Sequence, residues 1–199
     1  DLLRGVIVQS GNDASIVVAE GISGTEAAFA GRMTERAREI GLDNSIFRNA
    51  TGWPDPDHVT TAQDLAKLAS FLIREYTDFY GYYSEKEFTY GKSLGGKPIT
   101  QGNRNPLLYK GVGADGLKTG HTEASGFGLT ASAIRNDRRL VMVINGLESV
   151  RSRSSESERL INWGFQVFDN YELFTAGETV EKAKVWLGDA ATVPLVIED

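Results

Sequence analysis

Two short stretches hold side chains suited to moving an acyl group. In Ser10-Gly11-Asn12 the serine offers a hydroxyl that relays a proton. The asparagine offers a carboxamide that donates and accepts, so it can hold an amine and a substrate amide together. In Lys118-Thr119-Gly120, inside Asp115-Gly-Leu-Lys-Thr-Gly-His-Thr122, the lysine brings positive charge to a site whose substrate carries a carboxylate, and the threonine adds a hydroxyl donor. Gly120 has no side chain and lets another backbone approach a strand edge. Each triplet alone is weak. Ser-x-Asn arises by chance about once in two chains of this length and is usually a cap or turn, whereas Lys-Thr-Gly is expected in roughly a few per cent of chains.

The elements that must position these residues follow from apolar spacing. Leu2, Leu3, Val6 and Ile7 form a short helical stripe that ends near Gln9-Ser10-Gly11-Asn12, which puts the first triplet at a helix end. A second helix is expected to start at Asp13 and carry the compact apolar run 14–20. A third is expected over 25–40, with Phe29, Met33, Ala37 and Ile40 on one face and Gly41 as its stop. Residues 42–58 read as a loop. Thr60 or Thr61 then caps a helix whose stripe is Leu65, Leu68, Ala69, Leu72, Ile73 and Tyr76. The segment 87–101 reads as a hairpin turning between Gly91 and Gly96, and 127–134 and 139–146 read as strands around Asn136-Asp137. The continuous apolar run 140–144 predicts a central, covered strand, and 154–168 predicts a helix. Beyond Asn170, 185–187 and 193–197 read as short strands, so a boundary is expected near residue 169.

Composition narrows the function classes. The 199 residues carry 21 Lys and Arg against 27 Asp and Glu, a net charge of −6, which argues against a nucleic-acid binder that must neutralise phosphates. With no cysteine, disulfides, thiolate metal sites and a thiol nucleophile are excluded. The longest aliphatic run, 140–144, is far short of the ~20 residues of a membrane helix. At 41% hydrophobic and 24% charged residues, the chain has enough apolar content to build a core.

The text around the two triplets is more specific than the triplets. Leu3-Arg-Gly-Val-Ile-Val-Gln-Ser-Gly-Asn-Asp-Ala14 resembles the second motif region of serine-type D-alanyl-D-alanine carboxypeptidases, the low-molecular-mass penicillin-binding proteins. Gly41-Leu42, Asn49-Ala-Thr-Gly52, the run from Pro54 to Ala66, Asn103-Arg104-Asn105, Gly116 to Thr122 and Trp163-Gly164-Phe165 resemble that family in the same order. The resemblance implies an α/β (α+β) fold of the penicillin-recognising, β-lactamase-like type, with an antiparallel sheet flanked by helices and Lys118 on an edge strand beside the cleft. Residues 1–168 would be a partial carboxypeptidase domain and 169–199 the start of a small β-rich one. It implies that a Ser-x-x-Lys serine attacks the carbonyl between two terminal D-alanines and that water hydrolyses the acyl-enzyme. Ser10, Asn12 and Lys118 would be catalytic. Thr119, Gly120, His121 and Arg153 would bind substrate, with the His121 N–H as half of an oxyanion hole. Arg151 lies close to Arg153, and either also reads as a solvated charge at a helix start. No cofactor or metal is implied. The implied partners are a peptidoglycan stem peptide and β-lactam antibiotics, at the periplasmic or outer face of the cytoplasmic membrane, with membrane association only through segments outside this chain.

One departure is serious: no serine in the 199 residues has lysine three positions on, and Ser84 with Lys86 has the wrong spacing. The chain starts Asp1-Leu2-Leu3-Arg4 without Met and reads as a cut end, so an upstream nucleophile segment is expected. Other readings fit less well. A class A β-lactamase needs Glu-x-x-x-Asn between the second and third motifs, and none lies between Ser10 and Lys118. Gly111 to Thr119 misses a phosphate-binding loop by one residue, with Leu117 where lysine belongs. Trp53-Pro-Asp-Pro-Asp-His58 has metal-ligand types but reads as a surface turn, and no Gly-x-Ser-x-Gly elbow supports a Ser-His-Asp triad. A non-catalytic module that binds wall peptides is the remaining alternative.

Overall fold

Capping residues set the helices of this chain, whose computed structural model describes residues 1–198. Helix α1 (Leu2–Arg4) runs on into a π-helical turn at Gly5–Gln9, and α2 (Asn12–Ser23) follows after Ser10-Gly11. The N-cap of α2 is Gly11 rather than Asp13. The Asp13 carboxylate instead accepts from the adjacent Ala14 N–H, inside the first turn where the helix dipole favours an anion. Thr25 accepts from Ala28 N–H at the start of α3 (Glu26–Glu39), and Gly41, at φ +80°, follows its end. The Thr61 hydroxyl caps α4 (Ala62–Glu75) by accepting from Asp64 N–H. Tyr76 lies just past that helix, ahead of the single turn α5 (Thr77–Tyr80) and the 3₁₀ turn Gly81–Ser84.

Strands β1 (Glu87–Lys92) and β2 (Pro98–Gly102) form an antiparallel hairpin. After a 3₁₀ turn at Pro106–Tyr109 comes the main sheet of β3 (Ala114–Thr122), β4 (Gly126–Arg135) and β5 (Arg138–Leu147), antiparallel in the order β3-β4-β5. Asn136 and Asp137 both have positive φ, as a two-residue hairpin turn that matches strand twist requires. The register pairs Leu129 with Ile144, Ala131 with Met142 and Ala133 with Leu140, so these six side chains share one face. They form the core with Leu107, Val112 and Ile161, the last on α6 (Val150–Val167).

Three expectations need correction. β5 is not the central strand: β4 is, and β5 lies at one end of this sheet among the described residues. Its unbroken apolar run reflects helix cover, since α4 and α6 both pack against it. Helix α6 begins four residues before 154. The Ser149 hydroxyl accepts from Ser152 N–H at 3.0 Å and the Ser152 hydroxyl accepts from Ser149 N–H at 3.0 Å, a reciprocal box in which serine replaces the usual glutamate. Residues 185–187 are not a strand: Leu187 has φ +57°, and β6 is Thr179–Lys184, paired with β7 (Thr192–Val196).

The chain divides into two compact units, the first Asp1–Val167 and the second starting at Phe168. The second unit is a two-stranded antiparallel sheet with mostly exposed side chains. No described helix is long and apolar enough to cross a membrane.

Candidate active site

All seven residues singled out in the sequence line one groove of the first unit. Ser10, Asn12, Lys118, Thr119, Gly120, His121 and Arg153 border it, joined by Trp53, Arg104 and Phe127. Two residues separated by 108 positions close the arrangement: the Lys118 ammonium donates to Ser10 Oγ at 2.6 Å and to the Thr119 carbonyl at 3.0 Å.

Ser10 reaches this position through an unusual backbone. The π-helical turn ends at Ser10 in the left-handed region, φ +61°, and the N–H groups of Ser10 and Gly11 both donate to the Gly5 carbonyl. A non-glycine residue in that region is strained and is kept there by its surroundings. Gly5 is buried, and a Cβ on it would lie 3.3 Å from Ala14 Cβ, so the turn packs tightly on the start of α2. The first helix is fixed from its other side: the Arg4 guanidinium donates to both Glu85 oxygens, Nε to Oε2 at 2.8 Å and Nη2 to Oε1 at 2.9 Å, and lies over the Tyr82 ring. Asn12, in the first turn of α2, faces the groove exposed.

Lys118 projects from β3, which is an edge strand as expected. Burial, and then the nearby charges of Arg104 and Arg153, lower the Lys118 pKa from its ordinary value to about 8. Half-buried Lys118 lies beside two guanidinium groups, and among the described residues no carboxylate pairs with it, so its surroundings favour a negatively charged ligand. The N-terminal part of β3 is anchored on its far side. There Tyr80 Oη donates to Asp115 at 3.0 Å, and Arg139 pairs with the same carboxylate at 2.8 Å.

Arg153 sits inside α6 and is 5% exposed, which corrects its reading as a solvated helix-start charge. Its Nη2 donates to the Arg104 carbonyl at 3.4 Å, and its Nε has no hydrogen-bond partner. Burial, and then Arg104, lowers its pKa. Arg104 was legible only as part of Asn103-Arg104-Asn105, and the structure shows what those asparagines do. Asn103 Nδ2 donates to the Glu85 carbonyl and its Oδ1 accepts from Asn105 N–H, both at 3.0 Å. Asn105, with no exposed surface, donates to the Gly116 carbonyl at 2.9 Å and accepts from Leu107 N–H at 3.0 Å. The pair clamps this segment to β3 and leaves Arg104 facing the groove.

Two aromatic residues on the groove, Phe127 and Trp53, are not marked as site residues by the sequence. Phe127 pairs across strands with His121, and their rings stack with centroids 3.8 Å apart. The pairing of β3 with β4, which sets it opposite His121, is what brings it to the groove. Trp53 is 66% exposed on a loop tied by Asn49, whose Oδ1 accepts from Gly52 N–H at 2.7 Å and Trp53 N–H at 3.1 Å. The neighbouring Asp57 pairs with Arg48 at 3.2 Å, and His58 packs edge-on against Phe47, so the run 53–58 builds a fixed loop.

A groove with a hydroxyl relay, a carboxamide and three cations can bind a carboxylate and pass a proton beside it. The sequence profile of the D-alanyl-D-alanine carboxypeptidase family matches residues 1–149. The chain is 40% identical over 197 residues to the D-alanyl-D-alanine carboxypeptidase DacA of Haemophilus influenzae, covering 98% of this chain and 49% of that protein. It is 32% identical to DacF of Bacillus subtilis over 201 residues, covering 51% of it. Penicillin binding protein 5 from Haemophilus influenzae superposes with a TM-score of 0.87 at 39% identity, covering 98% of this chain and 56% of that one. The chain thus spans about half the length of the curated relatives it matches.

Proposed function

The chain belongs to the D-alanyl-D-alanine carboxypeptidase family, and from that premise we propose that its groove is the peptide-binding half of a serine-type carboxypeptidase active site. The substrate is a cell-wall stem peptide ending in D-Ala-D-Ala, and β-lactams acylate the same site. Residues 1–168 belong to the carboxypeptidase domain and 169–199 begin a β-rich one. The site faces the outer side of the cytoplasmic membrane, where that peptide is found.

In this reading the attacking serine belongs to a Ser-x-x-Lys motif outside the 199 residues. Its oxygen bonds to the carbonyl carbon between the two D-alanines as its hydroxyl proton passes to the motif lysine, which returns it toward the leaving group as the amide C–N bond breaks. The departing D-alanine nitrogen takes a proton through the Ser10 hydroxyl, which Lys118 holds by its hydrogen bond. Water then attacks the ester, freeing the shortened peptide and the serine. Asn12 orients the motif lysine and the substrate amide. Lys118, Thr119 and Arg153 receive the terminal carboxylate, and Gly120 leaves room for the peptide backbone against the β3 edge. The His121 N–H donates to the oxyanion, a type of contact worth ~3 kcal/mol of barrier.

The observation that carries this reading is the Lys118–Ser10 hydrogen bond, which joins the two motifs in one groove. The test is labelling by a fluorescent penicillin. A chain extended upstream through its Ser-x-x-Lys should be acylated stoichiometrically, and Lys118→Ala should slow that acylation at least a hundredfold. The 199 residues alone should not label, because loss of the nucleophile in a serine hydrolase costs on the order of 10⁶ in turnover. Stoichiometric labelling of the 199 residues alone would overturn the assignment of an outside nucleophile.

A further inference from the structure

Arg153 is a buried cation with little to hold it. Its Nε has no partner, and its Nη2 bond to the Arg104 carbonyl is long at 3.4 Å. The Arg104 side chain beside it is also cationic, so its charge does not anchor the guanidinium. What lies against it is the Phe127 ring, whose centroid is 5.7 Å from the guanidinium carbon, within the range of cation–π attraction. The same ring stacks on His121 with an interplanar angle of 23°.

The backbone fixes that ring. Phe127 stands opposite His121 on β3 and Leu147 on β5, between two glycines. A Cβ on Gly126, at φ +66°, would lie 2.8 Å from the Leu147 carbonyl, and one on Gly128 would collide with Asn145 Oδ1. Gly126 lets the end of β4 approach the β5 backbone this closely, whereas the Gly128 contact is with the movable end of the Asn145 side chain.

We infer that Phe127 is a positioning residue: its ring holds the Arg153 guanidinium where it receives the substrate carboxylate. This rests on the active-site reading above, and it adds a residue that touches neither the scissile bond nor the carboxylate. A hydrocarbon of similar volume would fill the space without attracting the cation. An aromatic replacement would keep the function.

The experiment uses the chain extended through its Ser-x-x-Lys, with a peptide ending in D-Ala-D-Ala. Phe127→Leu should lower kcat/KM about tenfold, mainly through KM. Phe127→Tyr should stay within about twofold of the parent. Phe127→Leu should have no further effect once Arg153→Gln is present, because the cation it positions is gone. Equal losses from Phe127→Leu with and without Arg153, or a loss from Phe127→Tyr as large as from Phe127→Leu, would make the ring a packing element only. Unchanged kinetics for Arg153→Gln would instead overturn the carboxylate assignment itself. Unaltered circular dichroism and Tm of the Leu variant show that it folds.

Discussion

Lys118 combines two demands on one side chain. It must be charged to bind a carboxylate, and it sits half-buried against Ser10, where desolvation and the nearby guanidinium groups lower its pKa to about 8. The charged form therefore predominates below pH 8 and is lost as pH rises through that value. Under the proposed function, the rate constant for penicillin acylation of the Ser-x-x-Lys-containing chain should fall above pH 8 with a one-proton dependence. Lys118→Arg, whose guanidinium stays charged across the accessible range, should remove that limb while lowering the maximum rate, because the planar fork does not reproduce the ammonium contact with Ser10. An unchanged alkaline limb in the Arg variant would assign it to another group. The effect on stability has the opposite sign. Between about pH 8 and 10.5 the unfolded chain holds a proton that the folded chain has released, so this group makes folding more favourable as pH rises through that window.

Among the elements, the clamp made by Asn103 and Asn105 carries more than its exposed neighbours. Asn105 is fully buried and satisfies one carbonyl and one N–H, at Gly116 and Leu107. Asn105→Ala would leave both without a partner, each at about 1–3 kcal/mol. Urea denaturation should show a loss of about 2–4 kcal/mol, and under the active-site reading acylation should weaken as Arg104 loses its mount. Thr61→Ala removes one helix cap and should cost only about 1 kcal/mol. If the two variants lost equal stability, the clamp would not be holding β3. Caps such as Thr25, Thr61 and Gly41 were legible because their chemistry is local, a side chain or a conformation within three residues of the helix end. The start of α6 was not, because Ser149 and Ser152 cap each other with a residue pair that does not match the usual Ser-x-x-Glu pattern.

Across the whole molecule, protection is unequal. β4 pairs on both sides and carries Leu129, Ala131 and Ala133, all almost wholly buried. β6 and β7 pair only with each other among the described residues, and most of their side chains are exposed. Two-stranded sheets are marginal in water, so amide exchange in the 199-residue chain should be slowest in β4 and faster by orders of magnitude in β6 and β7. Similar protection in both would contradict the division at Phe168.

The amino-acid sequence carries the resemblance to the family, the order of its motifs and, through that resemblance, the seven candidate site residues. Most helix and hairpin positions follow from short-range spacing, which a linear text records. Only the tertiary structure decided that β5 lies at the end of its sheet, that Arg153 is a buried cation on Phe127, and that Arg104 joins the groove. Those facts depend on which distant segments meet. Ser10 and Lys118 touch across 108 positions, and no periodicity in the chain encodes a contact between them.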